Sequence, residues 1–242
     1  SVQTIFTSPP YWDMRDYKIG ENQLGKEKTL KHFVRNLVSH FKETQRVLSS
    51  RGSMFVNLGD KKQNHQYQPL AHMFGMLMQE EGWYWVDTIH WVKNNSIYTK
   101  GKSTVCNYET ILHFTKSPQY YYDLSWLKED DELKGCTVGY NNNIKLDSFW
   151  DNTESIWRSN VANNANLSKL CEENGLELNH NATFPIQLPI MGICSTSKPG
   201  DLVLDIFLGT GTTGEAALIL DRNYVGYDLN PQYLAISEVR LK

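Results

Sequence analysis

The chain has 242 residues, of which 40% are hydrophobic and 21% charged, and its formal net charge is −3. This length and composition suit one large domain with a substantial core and exclude a chain that is disordered throughout. The slightly negative charge excludes a protein that coats nucleic acid nonspecifically, so any nucleic-acid contact must come from a local patch.

The cysteines and histidines do not indicate a metal site. The four cysteines are far apart and include no Cys-x-x-Cys pair, and His65, His90, His113 and His180 lack the spacing of metal ligands. No stretch approaches the roughly 18 apolar residues of a membrane span. We therefore expect an intracellular protein with no metal ion, no disulfide scaffold and no membrane partner.

The first half of the chain alternates short apolar strands with amphipathic helices. Residues 2–6 predict a buried strand that ends at Ser8-Pro9-Pro10, because prolines cannot continue a central strand. Apolar residues at helical spacing then predict one helix over 29–48. The next expected elements are a strand over 53–58, a helix over 70–78, and strands over 83–92 and 108–114. A polar loop of about fifteen residues joins these last two strands.

The second half begins with an irregular stretch and then becomes regular. Residues 124–180 show no clear period and are rich in Asn, so they predict an irregular insertion. The expected elements after it are helices over 184–194, 212–220 and 231–241 and strands over 202–206 and 224–227. Strands that alternate with helices predict an α/β fold with a parallel sheet covered on both faces.

A glycine-rich loop is the strongest cofactor signal. Residues 205–214 read DIFLGTGTTG after a predicted strand, and Asp228 ends the next strand. Glycines allow close backbone approach to a ligand, and the acid can accept hydrogen bonds from ribose hydroxyls. The spacing also matches a dinucleotide fingerprint, but few residues follow Gly214, and Asp205 suits the ammonium of S-adenosylmethionine better than a pyrophosphate. A dinucleotide, or a glycine turn without a ligand, is the alternative.

A second motif, Ser8-Pro9-Pro10-Tyr11-Trp12, follows the first predicted strand. The prolines fix the backbone, so the carbonyls of Ser8 and Pro9 point outward as acceptors without amide partners of their own. Rigid acceptors beside an aromatic face can bind a planar amine, whose NH₂ donates while its ring stacks on Tyr11. The structural alternative is a proline turn with a Tyr and a Trp in the core.

Together and in this order, TSPPYW and DIFLGTGTTG resemble the beta-class DNA amino-methyltransferases, in which the catalytic half precedes the cofactor half. Similar segments cover most of the chain: RVLSSRGSMFVNLGD (46–60), WVKNN (91–95), YETILHFTKSPQYYYD (108–123), HNATFPIQLP (180–189) and RNYVGYDLNPQYL (222–234). The resemblance implies a circularly permuted Rossmann-like sheet, base flipping, and direct methyl transfer from S-adenosylmethionine to an exocyclic amine.

The resemblance also implies an acceptor. Ser-Pro-Pro-Tyr is commoner among N4-cytosine enzymes and Asp-Pro-Pro-Tyr among N6-adenine enzymes, so cytosine N4 in DNA is expected. An N6-adenine enzyme, a cofactor-binding subunit, and an RNA or protein-glutamine methyltransferase are the alternatives. Family members usually carry an upstream Gly-Asp strand that contacts the cofactor adenine. The chain begins with its first strand, so we expect a sheet one edge strand short or other residues at the adenine.

These observations assign candidate roles. The catalytic candidates are Ser8, Pro9, Pro10 and Tyr11. The cofactor-binding candidates are Phe184, Asp205, Phe207, Gly209, Thr210, Gly211, Thr212, Asp228 and Asn230. The DNA-binding candidates are Trp12, Lys93, Asn94, Lys100, Lys102 and Arg158.

The predicted organisation follows from these roles. Residues 1–123 are expected to form the catalytic half, 124–180 a target-recognition insertion, and 181–242 the cofactor-binding half of the same domain. The expected partner is double-stranded DNA, with a homodimer left open.

Overall fold

The structure is a computed structural model that describes residues 1–13, 23–95, 104, 106–125, 155–178 and 183–242. The strands are β1 (Val2–Thr7), β2 (Leu48–Leu58), β3 (Lys61–Gln63), β4 (Gln66–Gln68), β5 (Tyr84–Lys93), β6 (Tyr108–Thr115), β7 (Ile156–Ser159), β8 (Leu202–Asp205) and β9 (Asn223–Gly226). The helices are α1 (Leu30–His40), α2 (Lys42–Val47), α3 (Leu70–Glu80), α4 (Ala165–Glu173), α5 (Gln187–Thr196), α6 (Thr212–Ile219) and α7 (Pro231–Arg240).

A seven-stranded sheet in the order β7-β5-β6-β2-β1-β8-β9 forms the centre of the fold. Strand β1 pairs in parallel with β2 and β8, and β8 pairs in parallel with β9. Strand β6 runs antiparallel to its neighbours β2 and β5. The predicted α/β class is confirmed, and the sheet is mostly rather than wholly parallel.

Helices cover both faces of this sheet. Successive side chains of a strand point to opposite faces, and Ile5 and Phe6 of β1 show the division. Ile5 lies in a buried cluster with Phe33 of α1 and Phe74 of α3. Phe6 lies in a cluster on the other face with Leu188 of α5. The predicted burial of β1 on both faces is therefore confirmed.

The single helix predicted over 29–48 is wrong. Helix α1 begins after Thr29, whose hydroxyl accepts a hydrogen bond from the His32 backbone amide, and Phe41 separates α1 from the short α2. The chain becomes extended at Leu48, where β2 begins and pairs with Val2. Sheet pairing therefore determines the structure at Leu48, although the spacing of this residue continues the helical pattern.

The insertion predicted to be irregular contains regular structure. Strand β7 pairs in parallel with β5 and extends the central sheet, and β9 is the terminal strand of that sheet at its other end. Helix α4 packs Leu167 and Cys171 against Ile236 of α7. A four-residue strand is too short to show a period, which is why the sequence pattern missed it. Residues 126–154 and 179–180 of this stretch lie outside the described residues.

A small hairpin follows β2. Strands β3 and β4 pair antiparallel, and Asn64 and His65 at its tip both have positive φ angles, as a tight hairpin turn requires. In the described part of the chain, none of the helices has the length and apolarity that crossing a membrane requires.

Candidate active site at the carboxyl ends of the central strands

The two predicted motifs meet at one edge of the sheet. Strands β1 and β8 are parallel neighbours, so Ser8-Pro9-Pro10 and the glycine loop both leave the sheet at its carboxyl end. The Thr7 hydroxyl donates a 2.6 Å hydrogen bond to Oδ1 of Asp205, although the two residues lie 198 positions apart. Ligands of open α/β sheets bind in crevices at the carboxyl ends of the strands. The catalytic and cofactor candidates therefore share one site.

Asp205 is a buried carboxylate at the centre of this site. It is 2% exposed, and besides the Thr7 hydroxyl its Oδ1 accepts the backbone amide of Phe207 at 3.0 Å. Burial raises the pKa of Asp205 from 3.8 to about 6, and the hydrogen bonds from Thr7 and Phe207 oppose this rise. A cation placed against the carboxylate would stabilise its ionised form. The residue thus suits the ammonium group of an amino-acid cofactor.

The glycine loop leaves open space on the side of Gly209. Gly209 has a φ of +53°, and a Cβ there would meet only the Phe207 carbonyl oxygen, at 4.0 Å. Gly211 has a φ of +89°, and a Cβ there would lie 3.1 Å from Cβ of Ser237 in α7. Gly209 therefore permits close approach by a ligand, whereas Gly211 permits close packing of two helices.

Asp228 fixes the loop from the neighbouring strand. Its Oδ2 accepts the Gly209 backbone amide at 2.9 Å, and its Oδ1 accepts that of Asn230 at 2.8 Å. Burial raises the pKa of Asp228, and these two hydrogen bonds lower it in part. Each carboxylate oxygen can accept a further hydrogen bond, so the geometry is compatible with a ribose hydroxyl at this residue.

Thr210 and Thr212 are held from the side of α7. Both are buried, and Nη1 of Arg240 donates to the Thr210 carbonyl at 3.2 Å and to the Thr212 hydroxyl at 3.1 Å. Nε of Arg240 also donates to the buried carboxylate of Glu215 at 2.8 Å. These contacts hold the loop to α7, and the assignment of Thr210 and Thr212 to the cofactor stays a prediction. Nothing local in the chain indicated this role for Arg240.

The two aromatic candidates pack against the clusters on opposite faces of the sheet. The centre of the Phe207 ring lies 6.2 Å from that of Phe41, which is the residue between α1 and α2. The Phe184 ring lies 5.6 Å from that of Phe6 and is half-buried. The predicted start of a helix at Phe184 is wrong, because α5 begins at Gln187.

The side chain of Asn230 caps the start of α7. Its Oδ1 accepts the backbone amide of Gln232 at 2.9 Å, and Pro231 follows as the first helical residue. This is the arrangement of a helix N-cap. The oxygen of Asn230 therefore begins α7, and its assignment to the cofactor stays a prediction.

The catalytic segment is joined to a polar network. The Ser8 hydroxyl has one proton to donate, and two acceptors are within reach: Oη of Tyr11 at 3.4 Å and the Asn57 carbonyl at 3.2 Å. Tyr11 donates from Oη to Oε2 of Glu109 at 2.6 Å. The amide nitrogen of Asn57 donates to Tyr11 Oη at 3.1 Å and to Glu109 Oε2 at 2.7 Å. Pro9 is buried, whereas Ser8, Pro10 and Tyr11 are partly exposed.

Lys93 belongs to this network. It is the last residue of β5, and its Nζ lies 2.6 Å from Oε1 of Glu109 and 5.0 Å from the ring centre of Trp91. The ammonium group therefore faces the carboxylate of Glu109, and the DNA contact expected for Lys93 stays a prediction. Asn57 and Glu109 lie in two of the segments that resemble the family, but nothing local in the chain connects either residue to Tyr11 and so indicates a role.

Trp12 is a core residue. It is 4% exposed within the core, its indole nitrogen donates to the Glu27 carbonyl, and Nζ of Lys61 lies 4.9 Å from its ring centre. These contacts give Trp12 a place in the core, and the DNA contact expected of it stays a prediction. Asn94 and Arg158 are exposed near the β7 edge, and Lys100 and Lys102 lie outside the described residues.

The comparisons with known proteins agree with this geometry. The chain matches the family model for DNA methylases over residues 2–239. It is 33% identical to the type II methyltransferase M.Cfr9I of Citrobacter freundii over all of this chain and 82% of that protein, and 27% identical to M.SmaI of Serratia marcescens over 98% and 83%.

Solved structures are similar in fold. The PvuII DNA methyltransferase (cytosine-N4-specific) superposes with a TM-score of 0.78 at 21% identity, covering 100% of this chain and 80% of that one. The M1.HpyAVI–SAM complex gives a TM-score of 0.59 at 20% identity, covering 99% and 89%. With the family match over nearly its whole length, the chain belongs to the N6/N4 family of DNA methylases.

Proposed function

We propose that this chain transfers a methyl group from S-adenosylmethionine to the exocyclic N4 of a cytosine flipped out of double-stranded DNA. The observation that supports this most directly is the hydrogen bond between Thr7 and Asp205. Thr7 precedes Ser8, and Asp205 precedes the glycine loop, so this bond joins the two halves of the chain. This junction puts the acceptors for an amine next to a cofactor cradle, as methyl transfer between the two requires.

The described residues fit S-adenosylmethionine. The buried carboxylate of Asp205 suits its ammonium, Asp228 suits its ribose hydroxyls, and the open space at Gly209 admits its methionine portion. The SAM complex of M1.HpyAVI, a protein of similar fold, supports this choice. The sulfonium supplies a methyl group that its positive charge already activates, so positioning and electrostatics can provide most of the acceleration.

The catalytic segment fits an aromatic amine. An exocyclic amine is a poor nucleophile because its lone pair is delocalised into the ring. Hydrogen bonds to the Ser8 hydroxyl and the Pro9 carbonyl favour a pyramidal nitrogen, and the Tyr11 ring offers a stacking face. The buried Oδ1 of Asn57 has no hydrogen-bond partner within the described residues, so this part of the site has acceptor capacity that a donor could satisfy.

The residue at position 8 supports cytosine over adenine through the resemblance described above. Ser-Pro-Pro-Tyr, as at residues 8–11, is commoner among N4-cytosine enzymes, and Asp-Pro-Pro-Tyr is commoner among N6-adenine enzymes. The similar fold of the cytosine-N4-specific PvuII enzyme supports the same choice.

DNA recognition is assigned to the insertion and the β7 edge. Arg158 and Asn94 are exposed there, and positively charged and amide side chains are suited to phosphates and base edges. We assign residues 124–180 to target recognition, with 1–123 and 181–242 as the catalytic and cofactor halves. The type II methyltransferase names of M.Cfr9I and M.SmaI suggest a place in restriction-modification.

Analysis of the methylated nucleoside tests the proposal. The purified chain is incubated with S-adenosylmethionine carrying a labelled methyl group and with DNA of mixed sequence, and the DNA is then digested to nucleosides. We expect the label in N4-methylcytosine, and none with S-adenosylmethionine omitted. Label in N6-methyladenine would contradict the cytosine assignment, and unlabelled DNA over a wide range of sequences would contradict the activity itself.

A further inference from the structure

We propose that the proton released by the methylated amine leaves through Ser8 and Tyr11 to Glu109, which is its final acceptor within the protein. This inference rests on the proposed function and adds to it, because it names the route by which the reaction is completed. Glu109 would act on the amine through the two hydroxyl groups of Ser8 and Tyr11.

The direction of the hydrogen bonds supports the relay. Ser8 donates from Oγ to Oη of Tyr11 at 3.4 Å, and Tyr11 donates from Oη to Oε2 of Glu109 at 2.6 Å. The Tyr11 proton points toward the carboxylate of Glu109, where the row of hydroxyl groups ends. The Ser8 proton also has the Asn57 carbonyl within 3.2 Å, and it reaches Tyr11 when the Ser8 hydroxyl turns toward that oxygen. An amine that donates a hydrogen bond to the Ser8 oxygen would be the first proton donor of this relay.

The proton transfers balance. When the bond between nitrogen and methyl forms and the bond between sulfur and methyl breaks, the amine must lose one N–H bond. Ser8 Oγ takes that proton and gives its own to Tyr11 Oη, which gives its own to Glu109 Oε2. Both hydroxyls end as they began, Glu109 becomes a neutral acid, and one positive and one negative charge disappear together.

The surroundings of Glu109 suit a temporary acceptor. Nζ of Lys93 lies 2.6 Å from its Oε1, and the Asn57 amide nitrogen lies 2.7 Å from its Oε2. The Asn57 amide also donates to Tyr11 Oη at 3.1 Å, where negative charge develops while a proton passes. The side chains of Glu109 and Lys93 are 14% and 23% exposed, so the proton can pass to solvent before the next turnover.

Two conservative substitutions separate this relay from simple anchoring of Tyr11. Tyr11→Phe keeps the stacking ring and removes only the hydroxyl, and Glu109→Gln keeps the size and one acceptor oxygen. The readouts are the single-turnover rate at saturating DNA and cofactor, and the cofactor affinity. We expect each variant to slow methyl transfer by about 10²-fold or more, with cofactor affinity changed by less than about twofold.

A double variant tests whether the two residues act in series. Members of one relay lose their effect together, so Tyr11→Phe with Glu109→Gln should be no slower than the slower single variant. Tyr121→Phe and Glu81→Gln are matched controls, since Tyr121 donates to Asp123 and Glu81 pairs with Lys42 outside this network. Both controls should keep the full rate.

Chemical rescue gives a readout that an anchoring role would not produce. Glu109→Ala should regain rate when formate is added, and formamide, which is similar in size but not basic, should not restore it. A full rate in Tyr11→Phe or Glu109→Gln, multiplicative losses in the double variant, or equal rescue by formamide would each overturn the relay. The proposed function is judged separately, by the nucleoside that the unsubstituted chain methylates.

Discussion

The hydroxyl of Thr7 donates a 2.6 Å hydrogen bond to Oδ1 of Asp205, and both side chains are buried. Thr7 is the last residue of β1 and Asp205 the last of β8, so this bond ties the end of the catalytic strand to the start of the glycine loop. Because the carboxylate is buried, loss of the donor would leave it with less compensation for its desolvation.

Thr7→Val should therefore destabilise the protein and weaken cofactor binding. We expect a loss of about 1–3 kcal/mol in the free energy of unfolding, as for removal of a hydrogen bond to a buried charge. Thr4→Val is the matched control on the same strand, because the Thr4 hydroxyl is equally buried but meets the neutral Thr196 hydroxyl at 2.8 Å. Denaturant titration with and without S-adenosylmethionine measures both effects. Equal changes in cofactor affinity for the two variants would contradict the link.

Cofactor binding should depend on the ionisation of Asp205. Burial raises its pKa from 3.8 to about 6 in the folded protein. Ionising it therefore costs folding free energy, so its contribution to stability falls as pH rises from 3.8 to about 6. Cofactor affinity has the opposite sign, because an ammonium requires the ionised carboxylate.

We expect cofactor affinity to rise from about pH 5 to about pH 7 and to approach a tenfold change per unit at the acidic end. Calorimetric titration over this interval measures the slope. Asp205→Asn should remove it, whereas Asp201→Asn, at the other end of β8, should keep it. A slope that survives in Asp205→Asn would assign the pH dependence to another group.

The two glycines of the loop should respond differently to alanine. At Gly209, a methyl group meets open space, so Gly209→Ala should cost only about 1–2 kcal/mol of backbone strain but should weaken cofactor binding. At Gly211, the methyl group would lie 3.1 Å from Ser237 Cβ, so Gly211→Ala should destabilise the fold more strongly. Thermal unfolding and cofactor titration of both variants test this, and reversed effects would contradict the assignment of the open side.

The pair of Arg240 and Glu215 should be worth more than surface ion pairs. Their side chains are 9% and 8% exposed, so Arg240→Met would leave a buried carboxylate uncompensated at a cost of about 3–5 kcal/mol. Arg46→Met, which breaks an exposed pair with Glu43, should cause little change. Chemical denaturation compares them. Adding Glu215→Leu to Arg240→Met should recover much of the loss, and no recovery would argue against charge burial as the cause.

Local signals in the sequence were sufficient to predict the sheet class and the two motifs. Glycines, prolines and the acid at Asp205 carry conformational and chemical preferences of their own, so the pattern indicated their site without tertiary information. The end of the helical region at Leu48 was missed because sheet pairing overrides spacing, and the strand β7 was missed because short strands show no period. The break at Phe41 was missed because the apolar spacing continues across it.

The orientation of side chains could not be predicted in the same way. Lys93 lies at the end of β5, before a polar loop, where the sequence suggests an exposed side chain. Its ammonium group nevertheless contacts Glu109, near the start of β6. Trp12 lies beside the catalytic segment, yet it is buried in the core. Thr210 and Thr212 lie in the glycine loop, yet both face Arg240. These directions depend on partners distant in the sequence, and no local spacing specifies them.

The most direct measurement is the single-turnover rate of methyl transfer and the cofactor affinity of Ser8→Ala, made on the same protein. Ser8 is expected to act on the amine, whereas the cofactor is held by the loop after β8. We predict that the rate falls by about 10²-fold or more while cofactor affinity changes by less than about twofold. Losses of equal size in rate and affinity would contradict the account, in which Ser8 acts on the amine and the glycine loop binds the cofactor within one crevice.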